Sequence, residues 1–181
     1  MSNYKIWDNV RQPIGIIYVV SKNDNQPSDE FMDTMRDNGY IIVMGESQHS
    51  QILQDIQMLY KLPIIVFGYG KHCHAVRSLV ARCELCKAGI CVSKTDYEPR
   101  IIQWLKSMWG TTESSKPMLE ISCGLNAINN GCTLAQNLYR NHREQDIHKT
   151  TFIIYPDATA QYDTPDVQRD TLEFLNEISW Q

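Results

Sequence analysis

At 181 residues, with 43% hydrophobic and 21% charged residues, the chain can bury one sizeable core, and its composition excludes disorder, collagen-like repeats and a coiled coil. A net charge of −4 without any Lys/Arg block removes the electrostatic footprint of a nucleic-acid partner or an anionic membrane surface. The longest apolar runs, such as Ile14 to Val20 and Ile64 to Phe67, fall short of the roughly 18 residues of a membrane span. The stretch Met1 to Asp8 lacks the basic, apolar and small-residue order of a secretory signal, so one cytoplasmic domain over residues 1–181 is expected. Six cysteines in such a chain read as reduced thiols rather than as a disulfide framework, and neither a metal nor a cofactor is expected.

Pro13 to Val20 is a β-branched run with no alternation, the pattern of a strand buried on both faces. Asn23 to Asn25 make a turn, and Ser28 caps a short helix that buries Phe31, Met32 and Met35 and stops at Asn38-Gly39. Tyr40 to Met44 is a second strand. Ile52, Leu53, Ile56, Leu59 and Tyr60 then recur at helical spacing up to Lys61, and Pro63 closes that helix. Ile64 to Phe67 is a third strand, followed by a helical stripe of Ala75, Val76, Leu79, Val80 and Cys83 running to Ala88-Gly89.

Ile90 to Val92 makes a fourth strand, and a helix over Glu98–Trp109 presents Ile101, Ile102, Leu105, Met108 and Trp109 on one face. Trp104 points away from that stripe and is a candidate interface residue for a protein partner or self-association. Thr111 to Pro117 reads as a flexible surface loop, within a flexible stretch near 110–117. Met118 to Ser122 gives a fifth strand, Thr133 to Arg143 a helix, and Thr151 to Tyr155 a further strand. The last helix starts at Thr164-Pro165 and buries Val167, Thr171, Phe174, Leu175 and Ile178.

Strands alternating with helices imply right-handed βαβ crossovers and a doubly wound α/β fold, with a mostly parallel sheet of five or six strands. The shape resembles flavodoxin-like and receiver-like domains. In such sheets the ligand crevice lies beyond the carboxyl ends of the strands, where the strand order reverses.

Among the loops on that edge, Gly68-Tyr69-Gly70-Lys71-His72-Cys73-His74 places two glycines, a cation and two imidazoles between a strand and a helix N-terminus. Backbone N–H groups bind anions there, so Gly68, Gly70, Lys71 and His72, with Ser47, are candidate ligand-binding residues for a phosphate-bearing small molecule. Gly45-Glu46-Ser47-Gln48-His49 has the strand-turn-helix placement of a serine-hydrolase nucleophile. His49 stands where a small residue belongs, and no histidine follows Asp157 to complete the order serine, acid, histidine, so Ser47 reads instead as a helix N-cap. His72, Cys73, His74, Cys83, Cys86 and Cys91 are zinc-type side chains, but a helix of about 15 Å separates the histidines from the cysteine pair. Cys83-Glu84-Leu85-Cys86 also closes a helix rather than opening one, unlike a thioredoxin-type pair.

A receiver domain carries a phosphorylated aspartate at the end of its third strand, where this chain has Phe67-Gly68, so a receiver-like domain here is a degenerate one. The stretch Tyr40 to Phe67 resembles the strand-Ser-helix-Lys-Pro-strand unit of nucleoside deoxyribosyltransferase-like enzymes, and that resemblance implies a catalytic carboxylate at Asp55. With no complete catalytic set, the leading expectation is a non-catalytic regulatory or binding module engaging a protein partner or a small anionic ligand. The alternative is a small enzyme, deoxyribosyltransferase-like or a hydrolase, acting on a nucleotide or phosphorylated substrate. Lys71 would then hold phosphate, and Glu46, Asp55 or His72 would serve as acid–base groups.

Overall fold

A computed structural model describes residues 4–21, 26–94, 116–123, 150–155 and 164–178. In chain order these form strand β1 (Tyr4–Trp7), β2 (Gly15–Val20), helix α1 (Asp29–Asp37), β3 (Tyr40–Gly45), α2 (His49–Tyr60) and β4 (Ile64–Tyr69). A 3-10 turn (Gly70–His72) follows, then α3 (Cys73–Arg82), β5 (Cys86–Lys94), β6 (Met118–Cys123), β7 (Thr150–Tyr155) and α4 (Pro165–Glu177).

The strands lie side by side in the order β1-β3-β2-β4-β5-β6-β7, with every pairing parallel except that of β1 with β3. The expected doubly wound α/β architecture is present. Five of the six parallel strands, β3-β2-β4-β5-β6, reproduce the 2-1-3-4-5 order of flavodoxin-like sheets. The sheet has seven strands rather than five or six, because β1 adds an antiparallel edge. Its four residues are half-buried or exposed and carry none of the continuous apolar signal of a central strand.

Strands β2, β3 and β4 are buried at every position, because helices cover both faces of the sheet. Side chains alternate between the faces along each strand. Ile16, Tyr18 and Val20 of β2, with Ile64 and Val66 of β4, pack under α2 and α3 against Ile52, Leu53, Ile56, Val76 and Val80. On the other face Ile17, Val19, Ile65 and Phe67 pack with Phe31, Met32 and Met35 of α1 and with Val167, Phe174 and Leu175 of α4. Ser28 caps α1 by accepting a hydrogen bond from the Phe31 N–H at 3.1 Å, and Thr164 caps α4 ahead of Pro165 in the same way.

Helix α3 ends at Arg82, six residues before the stop expected at Ala88, because Cys83 turns extended and its carbonyl accepts from the Cys86 N–H at 3.1 Å. Strand β5 therefore starts at Cys86. Its pairing with β4 skips Lys87, since Ile64 faces Cys86 and Ile65 faces Ala88. That extra residue is a β-bulge, and it places Cys86 on the α3 face while Ala88, Ile90 and Val92 go to the other. The helices expected over 98–109 and 133–143, the residues Trp104 and Asp157, and positions 110–115 of the expected loop lie outside the described residues. No helix among the described residues is long and apolar enough to cross a membrane.

Candidate active site

The strand order reverses at β2. Helix α1 leaves β2 over one face and leads to β3, whereas α2 returns over the other face to β4, so the crevice opens between the carboxyl ends of β2 and β4. Val20, the last residue of β2, pairs with Gly45 at the end of β3 and with Gly68 near the end of β4. The three chain ends therefore stand level, each about 4.8 Å from the next.

At the end of β4 the chain changes direction within one residue. Tyr69 is extended (φ −107°, ψ 144°), Gly70 adopts φ +51°, and His72 and Cys73 are already helical. Only a residue without a Cβ adopts such a φ at little cost. Gly68 supplies the second requirement of the turn. A Cβ there would lie 2.6 Å from Cγ2 of Val76, so glycine alone lets α3 lie this close to β4. The Cys73 thiol fastens the start of α3 beneath the turn, donating to the carbonyls of Gly68 at 3.5 Å and Val92 at 3.6 Å. Its sulfur is buried and directed at the backbone.

Lys71 is exposed at the crest of the turn, while His72 is buried. The backbone N–H groups of Lys71 and His72 belong to the first turn after β4, where the helix dipole favours negative charge.

The loop after β3 has a different geometry. Glu46 and Ser47 are both exposed, and the left-handed residue before α2 is Gln48 (φ +53°), which makes no side-chain cap. Ser47 is therefore not the N-cap that its sequence position suggested. His49, the first residue of α2, is half-buried, and its Nδ1 lies 2.6 Å from the Tyr18 hydroxyl. Burial holds the His49 imidazole below its ordinary value and pushes the Tyr18 phenol well above its own. Gly45 makes room for that pair, since a Cβ there would meet the Tyr18 hydroxyl at 2.2 Å.

Asp55 is not brought to this edge. It lies six residues beyond His49, about 9 Å along α2, and accepts from Gln51 Nε2 of its own helix at 2.9 Å. The structure thus gathers Gly68, Gly70, Lys71 and His72 at one turn, with Glu46 and Ser47 two strands away, and leaves Asp55 on the flank of a helix. Among the described residues no three His, Cys, Asp or Glu side chains come together to hold a metal ion.

Gly68-Tyr69-Gly70-Lys71-His72 has the backbone course of a nucleophile elbow, a strained strand-to-helix turn whose usual pattern is Gly-x-Ser-x-Gly. Here Gly70 occupies the serine position and His72 that of the last glycine. In the sequence the serine of the elbow pattern is met at Ser47, one strand earlier, where the match fails at His49, and the turn after β4 carries no serine. The signal that marks it is the pair of glycines after the central strand.

No protein-family profile matches the chain, and no curated protein matches it. Solved structures do. A lipase in its open form is 10% identical with a TM-score of 0.68, over 96% of this chain and 93% of that one. Esterase PE8 is 12% identical with a TM-score of 0.71, over 98% and 99%. A Pyrococcus furiosus esterase is 12% identical with a TM-score of 0.61, over 91% and 82%. These matches correct the expectation of a non-catalytic receiver-like or flavodoxin-like regulatory module and its protein-interaction role. At such identities they establish the fold, and the fold this chain shares nearly from end to end is one that carries lipases and esterases.

Proposed function

We propose that the protein is a hydrolase of ester-type substrates that carry an anionic group, acting by direct addition of water rather than through an acyl-enzyme. The observation that supports this reading is Gly70 at φ +51° between the central strand and α3, the turn that presents a nucleophile in hydrolases of this shape. With glycine there, the turn keeps its backbone donors and loses the side chain that would be acylated.

The N–H groups of Lys71 and His72 are the donors for the oxyanion that forms when water attacks the carbonyl. The Lys71 ammonium pairs with the anionic group, a phosphate or a carboxylate, and His72 and Glu46 are the candidate acid–base groups. Oxyanion donors and binding without a complete triad still supply about 10³–10⁴-fold over water. A slow enzyme is therefore expected.

Hydrolysis of matched p-nitrophenyl esters, one neutral and one bearing a terminal carboxylate, tests the reading. Wild type should exceed the buffer rate without a burst and should not be labelled by a fluorophosphonate. Lys71→Ala should raise KM for the anionic ester and leave the neutral one unchanged. Labelling at Ser47 or any other serine would refute the direct-water mechanism, and a wild-type rate equal to buffer for both esters would refute the hydrolase reading.

A further inference from the structure

At the opposite edge of the sheet from Gly70, Cys83 and Cys86 stand at the two ends of the turn that joins α3 to β5. The Cys86 N–H donates to the Cys83 carbonyl at 3.1 Å, which makes residues 83–86 a hydrogen-bonded β-turn. Such a turn keeps its end Cα atoms within about 7 Å, against the roughly 4.4–6.8 Å that a disulfide spans. The Cys83 side chain packs against the same apolar cluster that buries Cys86. Cys83 is half-buried and open to a small reagent, whereas Cys86 is buried in the core under α3. Lys116 is fixed over the turn, its Nζ donating to the carbonyls of Cys83 at 2.7 Å and Val80 at 2.9 Å.

We propose that Cys83 and Cys86 are a modification site, a dithiol that closes reversibly to a disulfide by exchange with a low-molecular-weight disulfide such as glutathione disulfide. Cys83, as thiolate, attacks one sulfur of glutathione disulfide, whose S–S bond breaks and releases one glutathione thiolate. Cys86 gives its proton to solvent, and its thiolate attacks the Cys83 sulfur. The mixed disulfide breaks and the second glutathione leaves. Two protein thiols are oxidised and one glutathione disulfide is reduced to two glutathiones.

The division of labour follows from burial and charge. Burial pushes the Cys86 thiol up and Cys83 adds to this, while the Lys116 ammonium draws it down. The fixed lysine is thus the charge that opposes burial when the Cys86 thiol ionises for the second step. This site is independent of the hydrolase reading, since it lies at the other end of α3 and uses none of the elbow residues.

The test is equilibration of the full chain with glutathione disulfide, followed by alkylation, intact mass and peptide mapping. Wild type is expected to lose the mass of two hydrogen atoms, with a crosslink between residues 83 and 86. Cys83→Ser should form no crosslink, and Cys86→Ser should stop at a single glutathione adduct on Cys83. Lys116→Met should slow closure, because it removes the charge that draws the Cys86 thiol down. Cys83 is half-buried, so its serine variant decides the question even if Cys86→Ser fails to fold. The proposal is overturned if wild type keeps both thiols free under conditions that oxidise a control dithiol, or if the crosslink joins other cysteines. An unchanged rate in Lys116→Met would remove the lysine from the mechanism.

Discussion

The close approach of α3 to β4 is what builds the elbow, and Gly68→Ala tests it. An added Cβ would stand 2.6 Å from Val76 Cγ2 and 3.4 Å from the backbone carbonyl of His72. Val76 is fully buried among β2, β4 and α2 side chains and has no space to retreat into. Restoring ordinary van der Waals contact requires α3 to move out by close to 1 Å, and overpacking of this kind costs about 1–3 kcal/mol. At roughly 2–4 °C per kcal/mol for a chain of this size, the melting temperature should fall by about 2–12 °C.

Val76→Ala removes the obstructing methyl at the cost of a small cavity. The double variant should then be more stable than the sum of the two single losses by about 1–3 kcal/mol, measured as a double-mutant cycle in urea. The proposed ester hydrolysis should follow the same pattern, because the N–H groups of Lys71 and His72 move with the start of α3. Additive losses would refute the reasoning, since they would mean that the glycine is required for some reason other than contact with Val76.

Two further outcomes follow from buried polar groups. Arg77 of α3 holds Glu120 of β6 through two hydrogen bonds of 2.7 and 2.6 Å, with both side chains largely buried. Arg77→Met should cost about 3–5 kcal/mol by stranding a carboxylate, and Arg77→Met with Glu120→Leu should recover most of it in urea unfolding. Burial holds the folded His49 imidazole below its ordinary 6.5, so beneath that pH the unfolded chain takes up a proton that the folded chain does not. Stability should therefore fall as pH drops from about 6.5 towards the depressed folded value, and His49→Gln should flatten that part of the profile of urea midpoint against pH.

The central strands and their helices were legible because burial on both faces leaves a one-dimensional signature. Ile14 to Val20, Tyr40 to Met44 and Ile64 to Phe67 are apolar at nearly every position, and the residues Ile52, Leu53 and Ile56 repeat on one helical face. Ser28 and Thr164 were legible as caps because capping is a local matter, settled within three residues. What was illegible depended on distant neighbours. Strand β1 exists only because β3 offers it an unpaired edge. The bulge at Lys87, invisible in the apolar pattern, moved the start of β5 forward and turned the expected end of a helix into a turn between two cysteines.

The elbow shows a different kind of illegibility. The sequence marks Gly68 and Gly70 as an anion-binding turn, a reading the proposed function keeps, but a glycine in a sequence announces only that a side chain is missing, not which constraint removed it. The structure separates two constraints. Gly68 is glycine because Val76 occupies the space a Cβ would need, and Gly70 is glycine at a backbone angle that other residues adopt only under strain. A serine nucleophile at such a turn tolerates that strain because catalysis requires its exposed hydroxyl. Glycine in the same place relieves the strain and keeps the turn. A search keyed to the catalytic side chain passes over a site of this kind, because what persists there is a main-chain geometry.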